Sequence, residues 1–352
     1  MQVYPDEYRD TLQGSVRCLV FACQSQPYES VWQNPAPNQQ QPYFYLNLQH
    51  IITDLTVELF GTDKHKIIHG DALEALQTQV KDNSVDLIFA DPPYNIGKNF
   101  NGHIEKWKTE ESYLEWCYKW LDLCIQKLKP DGSFYVMTAT QFMPYFDIYL
   151  RKKLDILSRI VWSYDSSGVQ AKKYFGSMYE PILFCVKDKN DYTFNANDIL
   201  VEAKTGSKRK LIDYRKPVPT VYNTEKVPGN VWEFARVRYR MDEYENHPTQ
   251  KPVALLERII KASSNKGDTV MDPFSGTFTT CFVAKELGRN SIGIELQDEY
   301  VKIGLRRLQL ANDYKGEKLK KEIRTFESDK IATIHNLKLF EEPDATYIHR
   351  KD

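Results

Sequence analysis

The stretch VDLIFADPPY, residues 85–94, decides how the rest of the chain is read. Val85 to Ala90 is an apolar run of strand length, and Asp91, Pro92, Pro93 and Tyr94 stand where such a strand would end. A carboxylate, the carbonyls flanking two prolines and one aromatic ring can together accept hydrogen bonds from an exocyclic NH2 and stack on a flat heterocycle. A strand closed by a rigid proline turn accounts for the same four residues equally well when they are taken alone.

A second apolar strand, Thr269 to Met271, runs into Asp272, Pro273, Phe274, Ser275, Gly276 and Thr277, and then into a helical pattern from about Thr279 to Leu287. Strand, glycine turn and helix bring backbone amides towards a nucleotide-like ligand, although an ordinary β-to-α loop has the same outline. The next strand, Ser291 to Ile294, ends at Glu295, 19 residues beyond Gly276. A carboxylate at that spacing can take both hydroxyls of a ribose. Neither GxGxxG nor GxxxxGK[ST] occurs, so the ligand reads as a nucleoside without a pyrophosphate. Such a cofactor beside a site for an aromatic amine suggests S-adenosyl-L-methionine and methyl transfer.

Strand and helix signals alternate from Lys66 onward, an α/β texture. A helix is expected over about Ser112 to Lys129, stopped by Pro130, Asp131 and Gly132, with strands at Ser133 to Thr138, Ile156 to Trp162 and Pro181 to Lys187. A further helix runs through Leu255, Leu256, Ile259 and Ile260. Residues 1–65 read as an N-terminal extension containing a Gln/Pro/Asn-rich linker, Gln24 to Gln41, with Val16 to Ala22 and Tyr43 to Ile52 as apolar stretches that could dock on the body. Residues 66–187 form the half carrying the amine motif, 188–246 an insert, 247–311 the cofactor half and 312–352 a charged C-terminal extension.

With 352 residues and 41% apolar content the chain can bury a substantial core. Its apolar runs fall short of the roughly 18 residues of a membrane span, and Met1 to Asp10 lacks a basic start with an apolar core, so a cytoplasmic protein is expected. Six cysteines, Cys18, Cys23, Cys117, Cys124, Cys185 and Cys281, show no CxxC spacing; reduced thiols and no metal site are expected. The net charge of −1 averages over a local bias, because Lys204 to Arg240 holds ten basic residues against three acidic ones. Tyr214, Tyr222, Trp232, Phe234 and Tyr239 are interleaved there, a mixture suited to phosphates and bases.

Taken in order, these motifs resemble the β-group of DNA amino-methyltransferases: DPPY at 91–94, a basic insert, HPTQKP at 247–252, DPFSGT at 272–277 and GIE at 293–295. The resemblance covers about Ile67 to Leu308 and is closer still to solitary bacterial adenine-specific members, on DLIFADPPYNIGKNF, IVWSYDSSGVQAKK, GSMYEPI and DEYENHPTQKP. It implies an α/β, Rossmann-like S-adenosyl-L-methionine-dependent methyltransferase fold. The sheet would be mixed, mostly parallel and seven-stranded, in permuted motif order, with an inserted target-recognition region. The implied reaction is methylation of adenine N6 in double-stranded DNA. The base would be flipped onto Tyr94, and Asp91 and the Pro92 carbonyl would accept the amino protons.

By the same resemblance Asp71 and Ala72 lie at the cofactor's adenine, Thr249 and Lys251 at its methionine end, Asp272, Phe274, Gly276 and Thr277 around the turn, and Glu295 on the ribose. Lys172, Lys173, Arg236 and Arg238 are the candidates for DNA contact, and a homodimer and a short palindromic target such as ATGCAT are further implications. Cytosine N4 is an alternative target, though that tetrapeptide commonly begins with Ser, and a DNA-binding module without catalysis is an alternative of another class. One position departs from the usual DPFxGSGTT: Phe278 replaces the second glycine, which puts a ring where backbone is expected to approach the methionine moiety.

Overall fold

A computed structural model of the chain describes residues 57–97, 99–100, 103–104, 106–165, 172–203, 211–215 and 217–319. The linker, both N-terminal apolar stretches, Cys18, Cys23 and the basic run 204–210 lie outside the described residues. One nine-stranded sheet organises the fold. Its strands in chain order are β1 (Glu58–Gly61), β2 (His65–His69), β3 (Val85–Ala90), β4 (Leu128–Met137), β5 (Asp155–Ser163), β6 (Tyr179–Val186), β7 (Val231–Glu233), β8 (Thr269–Asp272) and β9 (Asn290–Glu295). Their spatial order is β1-β2-β9-β8-β3-β4-β6-β5-β7. β2, β9, β8, β3 and β4 run parallel, and β6 is antiparallel to both of its neighbours.

The expected count of seven strands is corrected to nine. The two additions are short edge strands: β1 pairs antiparallel with β2, and β7 pairs parallel with β5. Both satisfy backbone groups that an open sheet edge would otherwise leave to solvent. Neither segment has the length or alternation that marks a strand from sequence alone.

Alternation along the central strands divides the core into two layers. Ile88, Ala90, Phe134, Val136, Leu183 and Cys185 face one side, together with α1 (Ala72–Thr78), α2 (Glu110–Lys127) and α3 (Met143–Leu150). Leu87, Phe89, Tyr135, Met137, Ile182 and Phe184 face the other, against α4 (Val253–Ser263) and α5 (Thr279–Glu286). Burial on both faces explains why β3 reads as a nearly continuous apolar run. A sixth helix, α6 (Asp298–Arg307), packs Val301 and Leu305 against Ile67 of β2. The four cysteines among the described residues, Cys117, Cys124, Cys185 and Cys281, are free and buried.

Local signals set the helix ends. Thr109 and Ser112 form a capping box, so α2 starts before Ser112, with Glu110 and Glu111 in its first turn and Lys127 in its last. It ends at Lys127, because Leu128 is already extended, and Pro130 to Gly132 lie within β4 at a register shift opposite Val85 and Leu87. Among the described residues no helix is long and apolar enough to cross a membrane.

Candidate active site

The amine motif leaves the C-terminal end of β3 and the cofactor turn leaves the C-terminal end of its neighbour β8. The chain continues from β8 to β9 on one side and from β3 to β4 on the other, so both loops open at the point where the sheet order reverses. A cleft of about 340 Å³ lies there. Asp71, Ala72, Asp91, Pro92, Pro93, Tyr94, Thr249, Lys251, Asp272, Phe274, Gly276, Thr277 and Glu295 all line it. Residues from five separate stretches of sequence therefore share one cavity.

The cofactor turn is held from within. Asp272, buried at the end of β8, accepts from the Phe274 amide at 3.0 Å and from the Thr280 hydroxyl at 2.5 Å. Gly276 has a φ of +48°, and a Cβ added to it would come within 3.3 Å of the His247 Nε2, so glycine suits this turn twice over. Glu295 meets the turn as its spacing suggested: Oε2 accepts from the Gly276 amide at 2.8 Å and Oε1 from the Gln297 amide at 2.9 Å. Burial pushes the Glu295 carboxyl up to about 7 against these amide hydrogen bonds, and burial likewise pushes Asp272 up to about 7. Asp71 caps α1, its Oδ1 accepting from the Leu73 and Glu74 amides at 2.9 and 3.2 Å.

Phe278 does not enter the cleft. It keeps the left-handed backbone that a glycine would supply, with φ +58°, while its fully buried ring joins Ile67, Cys281, Val301 and Leu305 on the far side of the turn. Gly293 and Gly304 make the space: a Cβ on either would lie 2.6 or 2.4 Å from the ring. The ring expected to approach the methionine moiety is thus turned away from the cleft.

The amine motif is braced by α2. Tyr113 donates to the Pro93 carbonyl at 2.8 Å, and Trp116 and Trp120 pack their rings on Phe274 of the cofactor turn. One helix therefore sets the distance between the two loops. Asn95, with φ +53°, redirects the chain after Tyr94, and its side chain accepts from the Trp107 amide at 2.9 Å.

Lys251 has partners that the sequence reading did not foresee. Its ammonium is ion-paired with Asp91 Oδ2 and lies 3.7 Å from Glu180 Oε2, so it faces the amine motif. Burial alone would lower the Lys251 pKa; Asp91 and Glu180 outweigh it and hold the amine above its ordinary value, as a cation. Asp91 is pushed up by burial against the pull of Lys251, with Glu180 adding to the rise. Tyr94 is pushed well up by burial and the two carboxylates, which keeps it a neutral hydrogen-bond donor. Glu180, on β6, carries no short motif and was not among the expected site residues; only its place in GSMYEPI marked it.

The four candidate DNA contacts lie outside the cleft lining. Lys172, Lys173 and Arg238 are exposed, with Arg238 donating to the Asp165 carbonyl at 3.0 Å, and Arg236 sits 4.9 Å over the Tyr164 ring. Trp232 and Phe234 are core residues rather than base-facing rings: both are buried, and the Trp162 indole donates to the Phe234 carbonyl at 2.9 Å.

Among the described residues Lys251 is the only lysine or arginine lining the cleft, and it is committed to Asp91, so this lining does not suit a polyphosphate. Glu295 offers acceptors for vicinal hydroxyls, and the volume lies within the range of small-ligand pockets. This donor set fits S-adenosyl-L-methionine. An amine-accepting motif and a nucleoside turn on one doubly wound sheet define a DNA methyltransferase class, and residues 85–306 match the family described as DNA methylase, to which the chain belongs. The DNA adenine methyltransferase YhdJ of Escherichia coli K12 is 62% identical over 262 residues, covering 74% of this chain and 88% of that protein. The type II methyltransferase M.HpaI of Haemophilus parainfluenzae is 37% identical over 69% of this chain and 74% of its own length. Among solved structures, the cytosine-N4-specific PvuII DNA methyltransferase shares the fold, with a TM-score of 0.55 over 80% of this chain and 95% of that one at 18% identity.

Proposed function

We propose that this chain methylates adenine N6 in double-stranded DNA, with S-adenosyl-L-methionine as the donor. The observation that carries the reading is the shared cleft, which sets Asp91 to Tyr94 beside the Asp272 to Thr277 turn and Glu295. The cofactor supplies, when bound, an electrophilic methyl group on a sulfonium sulfur. The protein's part is positioning and electrostatics. Flipping a base out of the duplex costs roughly a few kcal/mol, which stacking on Tyr94 offsets. Asp91 and the Pro92 carbonyl accept the two amino protons and hold the nitrogen so that its lone pair points at the methyl. These residues would present N6 to that methyl group, and the proton released on transfer would leave by way of Asp91, the acceptor of the amine, to solvent. Glu295 holds the ribose hydroxyls and α2 keeps the loops at a fixed separation.

Asp91 at the head of the tetrapeptide, together with the similarity to an adenine methyltransferase, supports adenine over cytosine. The inward placement of Phe278 removes the chief argument for a module without catalysis. A cytoplasmic setting and a homodimer complete the reading; analytical ultracentrifugation tests the second. The decisive experiment is transfer of labelled methyl to duplex DNA, followed by nucleoside analysis. N6-methyladenine with wild type and its loss in Asp91→Ala is expected. N4-methylcytosine instead would reassign the base, and no label from folded, cofactor-binding protein on genomic DNA would overturn the enzyme reading.

A further inference from the structure

Glu180 has no part in the reaction as described, yet it is bound to the residues that perform it. Tyr94 Oη donates to Asp91 Oδ1 at 2.6 Å and lies 3.2 Å from Glu180 Oε2. Lys251 covers Asp91 Oδ2 and lies 3.7 Å from the same Glu180 oxygen. Tyr164 Oη donates to Glu180 Oε1 at 3.4 Å. The partners come from the loop after β3, from the end of β5, from β6 and from the HPTQKP segment, so tertiary structure alone assembles them.

This arrangement presents a conflict. Each Asp91 oxygen already has a donor, and the phenol has one proton and two carboxylates within reach. Oδ1 has a second lone pair, but sharing it with the Tyr94 hydroxyl weakens the hydrogen bond it can offer an adenine amine. We propose that Glu180 receives the Tyr94 hydroxyl: as the base stacks on the ring, the phenol turns from Asp91 to Glu180, and Oδ1 becomes the acceptor for the amine. Lys251 lies against both carboxylates and can stay with them through the exchange. No covalent bond changes, and the phenolic proton stays on Tyr94. One charge-assisted hydrogen bond replaces another, so the exchange costs little when Glu180 is present and leaves a buried donor stranded when it is absent. Glu180 is thereby a positioning residue, acting through Tyr94. A plain structural counter-charge for Lys251 would act in the same way whether or not residue 94 has a hydroxyl.

The inference rests on Asp91 being the amine acceptor. The test compares single-turnover methyl transfer at saturating cofactor for wild type, Glu180→Leu, Tyr94→Phe, the Glu180→Leu/Tyr94→Phe double variant and Asp91→Ala. Glu180→Leu is expected to slow transfer about 100-fold, and the double variant to run at least about tenfold faster than Glu180→Leu, because no hydroxyl then competes for Oδ1. Glu180→Gln serves if Glu180→Leu does not fold. Its amide oxygen is a weaker acceptor, so a deficit of about tenfold is expected, again relieved by Tyr94→Phe. A double variant no faster than its Glu180 parent, with Asp91→Ala inactive, overturns the exchange and leaves Asp91 in its role; an active Asp91→Ala overturns the reading beneath it.

Discussion

At Phe278 two costs compete. A left-handed backbone costs a non-glycine residue roughly 1–2 kcal/mol, whereas deleting a buried phenylalanine costs roughly 3–5 kcal/mol. The second is larger, so Phe278→Gly is expected to lower stability in a urea melt although it restores the usual glycine; a gain would show that strain dominates. Gly304→Ala should destabilise by roughly 1–3 kcal/mol through overpacking against that ring, and Phe278→Gly should abolish this penalty. At Glu295 the expected effect is on pH dependence. On the proposed reading its carboxyl, pushed up to about 7 by burial with Asp272 nearby, must be ionised to accept the two ribose hydroxyls. Cofactor affinity should therefore be complete above pH 7 and fall as the pH drops through it, by up to about tenfold per unit. Glu295→Gln should bind cofactor more weakly at pH 8 and show no such slope in a calorimetric titration. An unchanged slope in Glu295→Gln would assign the titration to another group.

At the scale of elements, β7 shows how a basic, aromatic-rich segment is anchored. Trp232 packs under the Arg258 guanidinium, 5.2 Å from its ring, and β7 extends the sheet beyond β5. Trp232→Ala should cost roughly 3–5 kcal/mol in chemical denaturation. Tyr239, 74% exposed in the same basic segment, should change stability by less than about 0.5 kcal/mol on replacement by alanine and act on DNA affinity instead. Equal destabilisation by the two would contradict the burial difference. In the sequence both are aromatic residues among lysines and arginines, and nothing local separates them. The difference is made by β5, some seventy residues upstream, whose open edge takes β7. The same holds for α6, whose charged sequence shows no clear core face until Val301 and Leu305 find Ile67.

Across the whole molecule charge is nearly balanced, so attraction to DNA depends on where the basic residues stand. Binding should weaken linearly in log affinity against log salt, and alanine at Lys172, Lys173 or Arg238 should reduce that slope by about one for each phosphate no longer neutralised. A slope unmoved by all three substitutions would place the DNA elsewhere. The chemistry-bearing residues were legible because Asp91, the Asp272 to Thr277 turn and Glu295 each end a short apolar strand, and a strand end projects its residues at a defined place. By itself, the sequence determined the α/β class and the order of the motifs, because these depend on local pattern and spacing, and its resemblance to a known family supplied the expected ligands and site residues. The tertiary structure alone decided that Lys251 faces Asp91, that Glu180 shares the Tyr94 hydroxyl, that Phe278 turns inward and that Trp232 belongs to the core. Each of those depends on which distant surfaces pack together, and burial, not residue type, sets whether a charge or a ring there serves the site or the scaffold.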